Sequence, residues 1–358
     1  MRGALWGNEL KSEGVHEFTL SDELVRLHLQ QGTGALVFPV VLENADLPAN
    51  IRLQMKSVCV HTMQQQVKLQ QTLEMAWNAL QAAGIKAVLM KGAGLAALYP
   101  EPQRRSWSDI DLFVGKQQYH PACAVMRDTF PKALKFDEEL DHYKHYNLIA
   151  DGVSIEIHRV SVAMLHPRDV RRYERMEKNG MDNASTLVIG GLSLQVPEPT
   201  FNALMVFLHS WEHVLTKGAN IRQLCDFVLL LHHYAGQIDK ARLQRYLQAL
   251  HLTDVWQLYV WIGVQGLGLA PEQAPFFTPN CATRAERLLE DILHPMANDT
   301  PSHGPMSNRL RRKIHTMRER MQNARRIRPY SPSYARHMQW AVLLNGAKRL
   351  FAKDRKWE

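Results

Sequence analysis

Two aspartates one residue apart in an apolar stretch constrain the fold of this chain more than any other feature. The segment reads SDIDLFV over residues 108–114, and this alternation of polar and apolar residues is typical of a β-strand. Successive side chains of a strand point to opposite faces of the sheet. We therefore expect Asp109 and Asp111 on one face and Ile110 and Leu112 in a core.

Two like charges on one face of a strand repel each other, so a compensating group is expected nearby. Magnesium prefers carboxylate oxygens together with the phosphates of a substrate. Asp109 and Asp111 are therefore candidate metal ligands. The alternative is an edge strand whose two aspartates are solvated. The apolar run that ends in the turn Lys91-Gly92 favours the metal site.

A second signal is an Asp-Gly pair at residues 151–152, between two segments of alternating residues. Such a pair is the strongest short signal for a β-hairpin. Its two-residue turn pairs Asn147 with Glu156 and His145 with His158. These four polar side chains then share one face, which we expect to be the face that carries the two aspartates.

Together these motifs resemble the uncharacterised nucleotidyltransferase family of bacteria, within the superfamily that has the DNA polymerase β-like catalytic fold. The resemblance rests on Lys91-Gly92, Arg105, Asp109-x-Asp111 and Glu156-x-His158. It covers residues 70–160 and, more faintly, the helices after residue 200. Two departures from better-studied relatives are the Lys-Gly turn, where those proteins have Gly-Ser, and a glutamate as the third acid.

The resemblance implies an α+β fold, with a small mixed β-sheet core between N-terminal helices and a C-terminal helical domain. It also implies an enzyme that moves a nucleoside monophosphate from an NTP to a hydroxyl or phosphate acceptor and releases pyrophosphate. Mg²⁺ or Mn²⁺ is the implied cofactor. The alternative is a catalytically silent nucleotide-binding module, or a module that binds protein or RNA, on the same fold.

Three carboxylates are the predicted catalytic metal ligands: Asp109, Asp111 and Glu156. Two divalent ions about 3.5–4 Å apart would neutralise the phosphates and help to deprotonate the acceptor. The predicted nucleotide-binding residues are Lys91, Gly92, Arg105 and His158. Gly92 lacks a Cβ, which would let backbone N–H groups approach the triphosphate.

Each of these residues also has a plainer interpretation. Lys91 is then a surface lysine before a turn, and Arg105 pairs with an aspartate to hold the strand. Glu156 then faces solvent, and His158 only supports a neighbouring carboxylate.

A further pair, His209 and His213, lies four residues apart and suggests either a polar helix–helix contact or contact with the base or acceptor. Ser210 stands where a zinc protease motif needs glutamate.

The periodicity predicts three parts: an N-terminal helical segment (1–83), a nucleotidyltransferase core (84–199) and a C-terminal helical domain (200–358). A long helix over 50–83 is predicted to turn seven side chains toward the core: Leu53, Val60, Val67, Leu73, Ala76, Trp77 and Leu80. A second hairpin is predicted over 187–196. Helices are predicted over 200–216, 221–235, 239–250, 254–266 and 283–293.

Charge is concentrated near the C-terminus. The 358-residue chain has a net charge of +8, and residues 309–328 contain nine Lys or Arg and a single acid, Glu319. An apolar stripe at helical spacing crosses this segment, at Leu310, Ile314, Met317, Met321 and Ile327. A basic amphipathic helix of this kind either packs its stripe on the domain or contacts nucleotide phosphates, RNA or an acidic partner. Because aromatic residues are sparse there, stacked single-stranded nucleic acid is not favoured.

Other classes are disfavoured by what the sequence lacks. It has no P-loop, dinucleotide-binding fingerprint or G-x-S-x-G motif. The four cysteines are scattered, which indicates reduced thiols and argues against structural zinc. With no apolar run of 18 residues and no signal-peptide core, we expect a cytoplasmic protein without a membrane partner. The acceptor, the NTP and the oligomeric state stay open.

Overall fold

The computed structural model describes residues 1–6, 22–44, 47–136, 140, 142–164, 166–216, 218–294, 318, 321–322 and 324–351. Its strands are β1 (Val88–Met90), β2 (Asp109–Phe113), β3 (Leu134–Lys135), β4 (His145–Ala150), β5 (Val153–His158), β6 (Ser185–Ile189) and β7 (Leu192–Val196). Its first helices are α1 (Arg2–Trp6), α2 (Asp22–Gln30), α3 (Gly34–Asn44), α4 (Ala49–Ala82), α5 (Gly92–Ala96), α6 (Gly115–Thr129) and α7 (Pro167–Asp182). The later helices are α8 (Pro199–Leu215), α9 (Ile221–His233), α10 (Lys240–Ala249), α11 (Thr253–Ile262), α12 (Ala282–Leu293) and α13 (Pro332–Phe351).

The central feature is a mixed five-stranded sheet in the order β1-β2-β5-β4-β3. Strands β2 and β5 run parallel, and the other neighbours are antiparallel. Ile110 and Leu112 are fully buried, as predicted, together with Ile155 and Ile157 of β5. This apolar face packs against α4 and α6. The predicted fold class, a small mixed sheet with helices before and after it, is confirmed.

The predicted hairpin is confirmed, including its register. Asn147 pairs with Glu156, and His145 pairs with His158. Asp151 and Gly152 both have positive φ, +49° and +79°. Both central residues of a two-residue type I′ turn need this conformation.

The long helix α4 corrects one prediction. Leu73, Ala76, Trp77 and Leu80 are buried, but the earlier side chains Leu53, Val60 and Val67 are 70%, 53% and 59% exposed. Only the C-terminal part of α4 lies on the sheet. Its N-terminal part packs on α3 through a different stripe, made by Ile51, Met55 and Val58.

The helices after residue 199 build the second and larger core. Helix α8 is buried along nearly its whole length and packs against α7, α9 and α10. The five predicted helices and the hairpin β6–β7 are present, although the fourth helix ends as α11 at Ile262 and continues as a π-helical turn, Gly263–Leu267. Asp226 of α9 ties this helical layer to the segment before β2 through hydrogen bonds from Tyr99 and Arg105.

Most of the predicted basic helix lies outside the described residues, including Leu310, Ile314 and Met317. Within the described part, Ile327 is buried and Met321 is half-buried. Arg318 and Arg325 are exposed. Ile327 and Met321, the stripe residues among the described ones, therefore face the protein interior.

Candidate active site

The polar face of the sheet brings the three predicted carboxylates together. Asp109 and Asp111 project from the same face of β2, and β5 runs parallel beside it with Glu156 in register with Asp111. The parallel neighbour of Asp109 is Ser154. Because in-register residues of adjacent strands point the same way, two acids from one strand and one from the next share this surface.

The turn between β1 and α5 has a backbone that most residues avoid. Lys91 has φ +54° and Gly92 has φ +40°. A Cβ on Gly92 would lie 3.3 Å from the backbone oxygen of Asp109 and 3.2 Å from the ring of Trp107. Glycine is therefore required here to let the turn approach β2, which is a packing reason that the sequence interpretation did not include.

Lys91 points at the carboxylates, and only 12% of its side chain is exposed. Its Nζ lies 3.0 Å from Oδ1 of Asp111. Burial disfavours the ammonium form, but Asp111, Asp109 and Glu156 outweigh it and raise the pKa of Lys91. Burial alone would raise the pKa of Asp111, yet the Lys91 charge and a hydrogen bond with His158 hold it well below its usual range. Lys91 is thus a cation inside the site, not a surface lysine.

His158 lies at the centre of the acidic group and is 1% exposed. Its Nε2 is 2.9 Å from Oδ1 of Asp111 and 3.1 Å from Oε2 of Glu156. Its Nδ1 is 3.3 Å from the carbonyl oxygen of Val160. Burial would lower the pKa of His158, but its contacts with the two carboxylates raise it. Burial would raise the pKa of Glu156, but the hydrogen bond with His158 lowers it.

Asp109 differs from Asp111 in its contacts. No hydrogen bond or salt bridge reaches its carboxylate from the described residues, although the side chain is half-buried. The negative charge of Asp111 and then burial raise the pKa of Asp109. Its negative charge is the least compensated of the three.

Arg105 pairs with an aspartate of helix α9. Its Nε and Nη2 donate to the two carboxylate oxygens of Asp226, at 2.8 and 2.6 Å, and its Nη1 donates to the carbonyl oxygen of Gly92 at 3.3 Å. The side chain is 4% exposed. Three of its five N–H donors bind these partners, so Arg105 holds the Lys-Gly turn against α9, as its plainer interpretation predicts, and its contact with phosphate stays a prediction.

Helix α8 closes the site with His209. The residue is half-buried, and its Nδ1 is inaccessible to solvent and has no hydrogen-bond partner among the described residues. Burial, followed by the charge of Lys91, lowers the pKa of His209 well below its usual value, so the ring is neutral. Its edge contacts the ring of His213, with centroids 4.7 Å apart.

Two groups of three potential metal ligands occur among the described residues, each with its ligand atoms within 4.8 Å of one another. They are His145 with Glu156 and His158, and His166 with Asp169 and His337. His145 was not among the predicted site residues. The signal for it was in the sequence, because the hairpin register places it directly opposite His158.

Residues 20–265 match the family described as uncharacterised nucleotidyltransferase. The chain belongs to this family. The match includes the Lys-Gly turn, the three carboxylates and the helices α8 and α9 that contribute His209 and Asp226. Membership of the uncharacterised nucleotidyltransferase family supports a nucleotidyltransferase-type function.

Among solved structures, the chain is similar to an antigenic nucleotidyltransferase-like protein from Paracoccidioides brasiliensis. The two sequences are 16% identical, and the match covers 51% of this chain and 86% of that one with a TM-score of 0.34. A comparison with curated proteins found no match. Among the helices of the described residues, none has the length and apolar character needed to cross a membrane.

Proposed function

We propose that this protein moves a nucleoside monophosphate from an NTP to an acceptor hydroxyl or phosphate and releases pyrophosphate. The observation that carries the proposal is the shared face of β2 and β5, where Asp109 and Asp111 stand beside Glu156 in register. A surface without function has little reason to collect three acids in a half-buried place, because their mutual repulsion destabilises the fold.

The donor set fits a divalent cation. Carboxylate oxygens are the ligands that Mg²⁺ and Mn²⁺ prefer, and the half-buried Asp109 carboxylate makes no hydrogen bond or salt bridge with the described residues. Asp109, Asp111 and Glu156 would hold the ion. When bound, it would neutralise the phosphate oxygens and lower the pKa of the acceptor.

The reaction forms one bond and breaks one. The acceptor oxygen attacks the α-phosphorus, and the bond from that phosphorus to the bridging oxygen breaks, so that pyrophosphate leaves with the electron pair. The proton of the acceptor passes to a carboxylate, for which Glu156 is the candidate. Lys91 supplies a fixed positive charge beside Asp111, and Arg105 keeps the turn that carries Lys91 in place.

A second candidate function is nucleotide binding without catalysis. The observation that favours it is that cations of the protein already lie against two of the acids. Lys91 contacts Asp111, and His158 lies between Asp111 and Glu156. Because these positive groups offset the negative charge of the carboxylates, the folded site can be stable without a bound metal ion.

The test is incubation of the purified chain with each NTP labelled at the α-phosphate, with Mg²⁺ or Mn²⁺, and with and without cell extract. Transfer of the label to an acceptor, with release of pyrophosphate, is the expected result. Asp109→Asn and Glu156→Gln should abolish transfer. The exposed Asp128 offers a matched control, because Asp128→Asn makes the same chemical change away from the site.

Each outcome separates the two functions. Transfer that survives in Asp109→Asn at the wild-type rate contradicts the catalytic proposal. NTP binding without transfer in any extract supports the silent module. The identity of the labelled product reveals the acceptor.

A further inference from the structure

Two imidazoles flank the carboxylate of Glu156. Its Oε2 lies 3.1 Å from Nε2 of His158 and 3.8 Å from Nδ1 of His145. One ligand atom from each of the three residues lies within 4.8 Å of the other two. This group shares Glu156 with the carboxylate set but adds two nitrogen ligands to it.

The hairpin holds these side chains in a fixed arrangement. His145 of β4 pairs directly with His158 of β5, and their ring centroids are 5.0 Å apart. Glu156 lies on the same face of β5, two residues earlier. Sites built on strands keep their geometry better than sites built on loops.

The imidazole nitrogens can become ligand atoms once an ion takes the place of a proton. Carboxylate oxygens only accept hydrogen bonds, so Nε2 of His158 carries a proton in the metal-free protein, and a bound ion would displace it. A hydrogen bond from Nδ1 to the carbonyl oxygen of Val160 would keep the ring oriented. The Nε2 of His158 faces carboxylate oxygens of both Asp111 and Glu156. The Nδ1 of His145 is inaccessible to solvent and has no hydrogen-bond partner among the described residues.

The spacing agrees with one bound ion. Zinc–nitrogen bonds of about 2.0–2.1 Å in a tetrahedral site separate the ligand atoms by about 3.4 Å. The two measured separations, 3.1 and 3.8 Å, lie on either side of this value.

We propose that His145, Glu156 and His158 bind a divalent transition-metal cation, so that this centre takes Zn²⁺ or Co²⁺ in preference to Mg²⁺. Imidazole ligands favour such metals, whereas Mg²⁺ is held by oxygen. The part of this ion in nucleotidyl transfer rests on the proposed function, but its binding does not. The partly exposed sides of His145 and Glu156, at 24% and 21%, leave room for a substrate oxygen on the ion.

The test is titration of the metal-free full-length chain with Co²⁺, followed by visible absorption. We expect a site that Zn²⁺ displaces at equal concentration and that Mg²⁺ does not displace even in about thousandfold excess. His145→Gln should weaken Co²⁺ binding by at least the roughly 10- to 100-fold that loss of a group supporting a ligand causes, and should change the absorption bands. His142 is the matched control, because its ring lies 5.3 Å from that of His145 but outside the ligand group, and His142→Gln should bind Co²⁺ normally.

The second histidine group must be separated from this one. In the His166→Gln variant, Co²⁺ binding should persist, and its loss there would assign the ion to His166, Asp169 and His337 and overturn the proposal. Displacement by Mg²⁺ at concentrations similar to Zn²⁺ would also overturn it. The competition between metals uses the wild-type chain, so it tests the proposed metal preference even if His145→Gln fails to fold.

Failure of the two proposals can be told apart. A protein that binds Co²⁺ through His145 but transfers no nucleotide retains the metal site and contradicts the proposed function. A protein that transfers nucleotide with Mg²⁺ and shows no preference for Co²⁺ retains the function and contradicts the metal site.

Discussion

The guanidinium of Arg105 makes a two-point salt bridge with the carboxylate of Asp226, which lies 121 positions later in the chain. Tyr99 donates a third hydrogen bond to Asp226, at 2.7 Å. Both charges of the salt bridge are buried. Since Arg105 also donates to the carbonyl oxygen of Gly92, the contact joins α9 to the turn that carries Lys91.

Because the salt bridge is buried, removal of either partner leaves an uncompensated charge. Arg105→Ala and Asp226→Ala should each lower the free energy of unfolding by about 3–5 kcal/mol. The double variant should lose clearly less than the sum of the two. Chemical denaturation measures these values.

The exposed pair Lys178–Asp182 is the control, and Lys178→Ala should change stability by less than about 1 kcal/mol. NTP affinity gives a second comparison. If Arg105→Ala weakens NTP binding much more than Asp226→Ala does, Arg105 contacts phosphate after all.

Local patterns predicted much of this site. Alternation assigned β2, and the Asp-Gly pair fixed the register of β4 against β5 and therefore the position of Glu156. These signals are local, because a two-residue turn determines every pair in its hairpin. The resemblance to a family supplied the chemistry that the pattern alone left open.

Long-range pairing was not predictable in the same way. Nothing near Arg105 in the sequence identifies Asp226 as its partner, so a phosphate contact and a structural salt bridge looked equally reasonable. The exposed Leu53, Val60 and Val67 show a similar limit. Helix α4 carries two apolar stripes, and which stripe is buried depends on where α3 and the sheet lie.

Gly180 makes a close crossing of α7 and α8 possible. A Cβ at this position would lie 2.2–2.5 Å from three atoms of the buried Phe201. Gly180→Ala should therefore destabilise the protein by about 3 kcal/mol or more through overpacking, despite the better helix propensity of alanine. Thermal unfolding of this variant beside Gly236→Ala, whose Cβ would meet nothing within 4 Å, provides the measurement, and equal melting temperatures would contradict the tight crossing.

His28 should make stability depend on pH. Burial and then the N-terminal ammonium lower its pKa from 6.5 to about 4, while its Nδ1 lies 2.9 Å from the Thr33 hydroxyl oxygen. Between pH 6.5 and pH 4 the unfolded chain binds more protons at this ring, so stability falls as the pH falls. His28→Gln should flatten that part of the stability curve, and His61→Gln, at an exposed position, should not. A wild-type slope in His28→Gln would show that other groups cause the acid sensitivity.

The two aspartates of β2 should respond to substitution in opposite ways. Asp111 is bound by Lys91 and His158. Asp111→Asn removes the carboxylate that Lys91 contacts and one of the two that His158 contacts, and should cost about 3–5 kcal/mol. Asp109 has no such partner, and the charge of Asp111 raises its pKa. Asp109→Asn should therefore leave the metal-free protein as stable as the wild type, or more stable by up to about 1 kcal/mol, while transfer is lost. Chemical denaturation in the presence of a chelator measures the free energy of unfolding of both variants, and Asp128→Asn is the control.

An equal loss of stability in Asp109→Asn and Asp111→Asn would mean that Asp109 is a structural residue. It would also remove the main support for an ion beside Asp109.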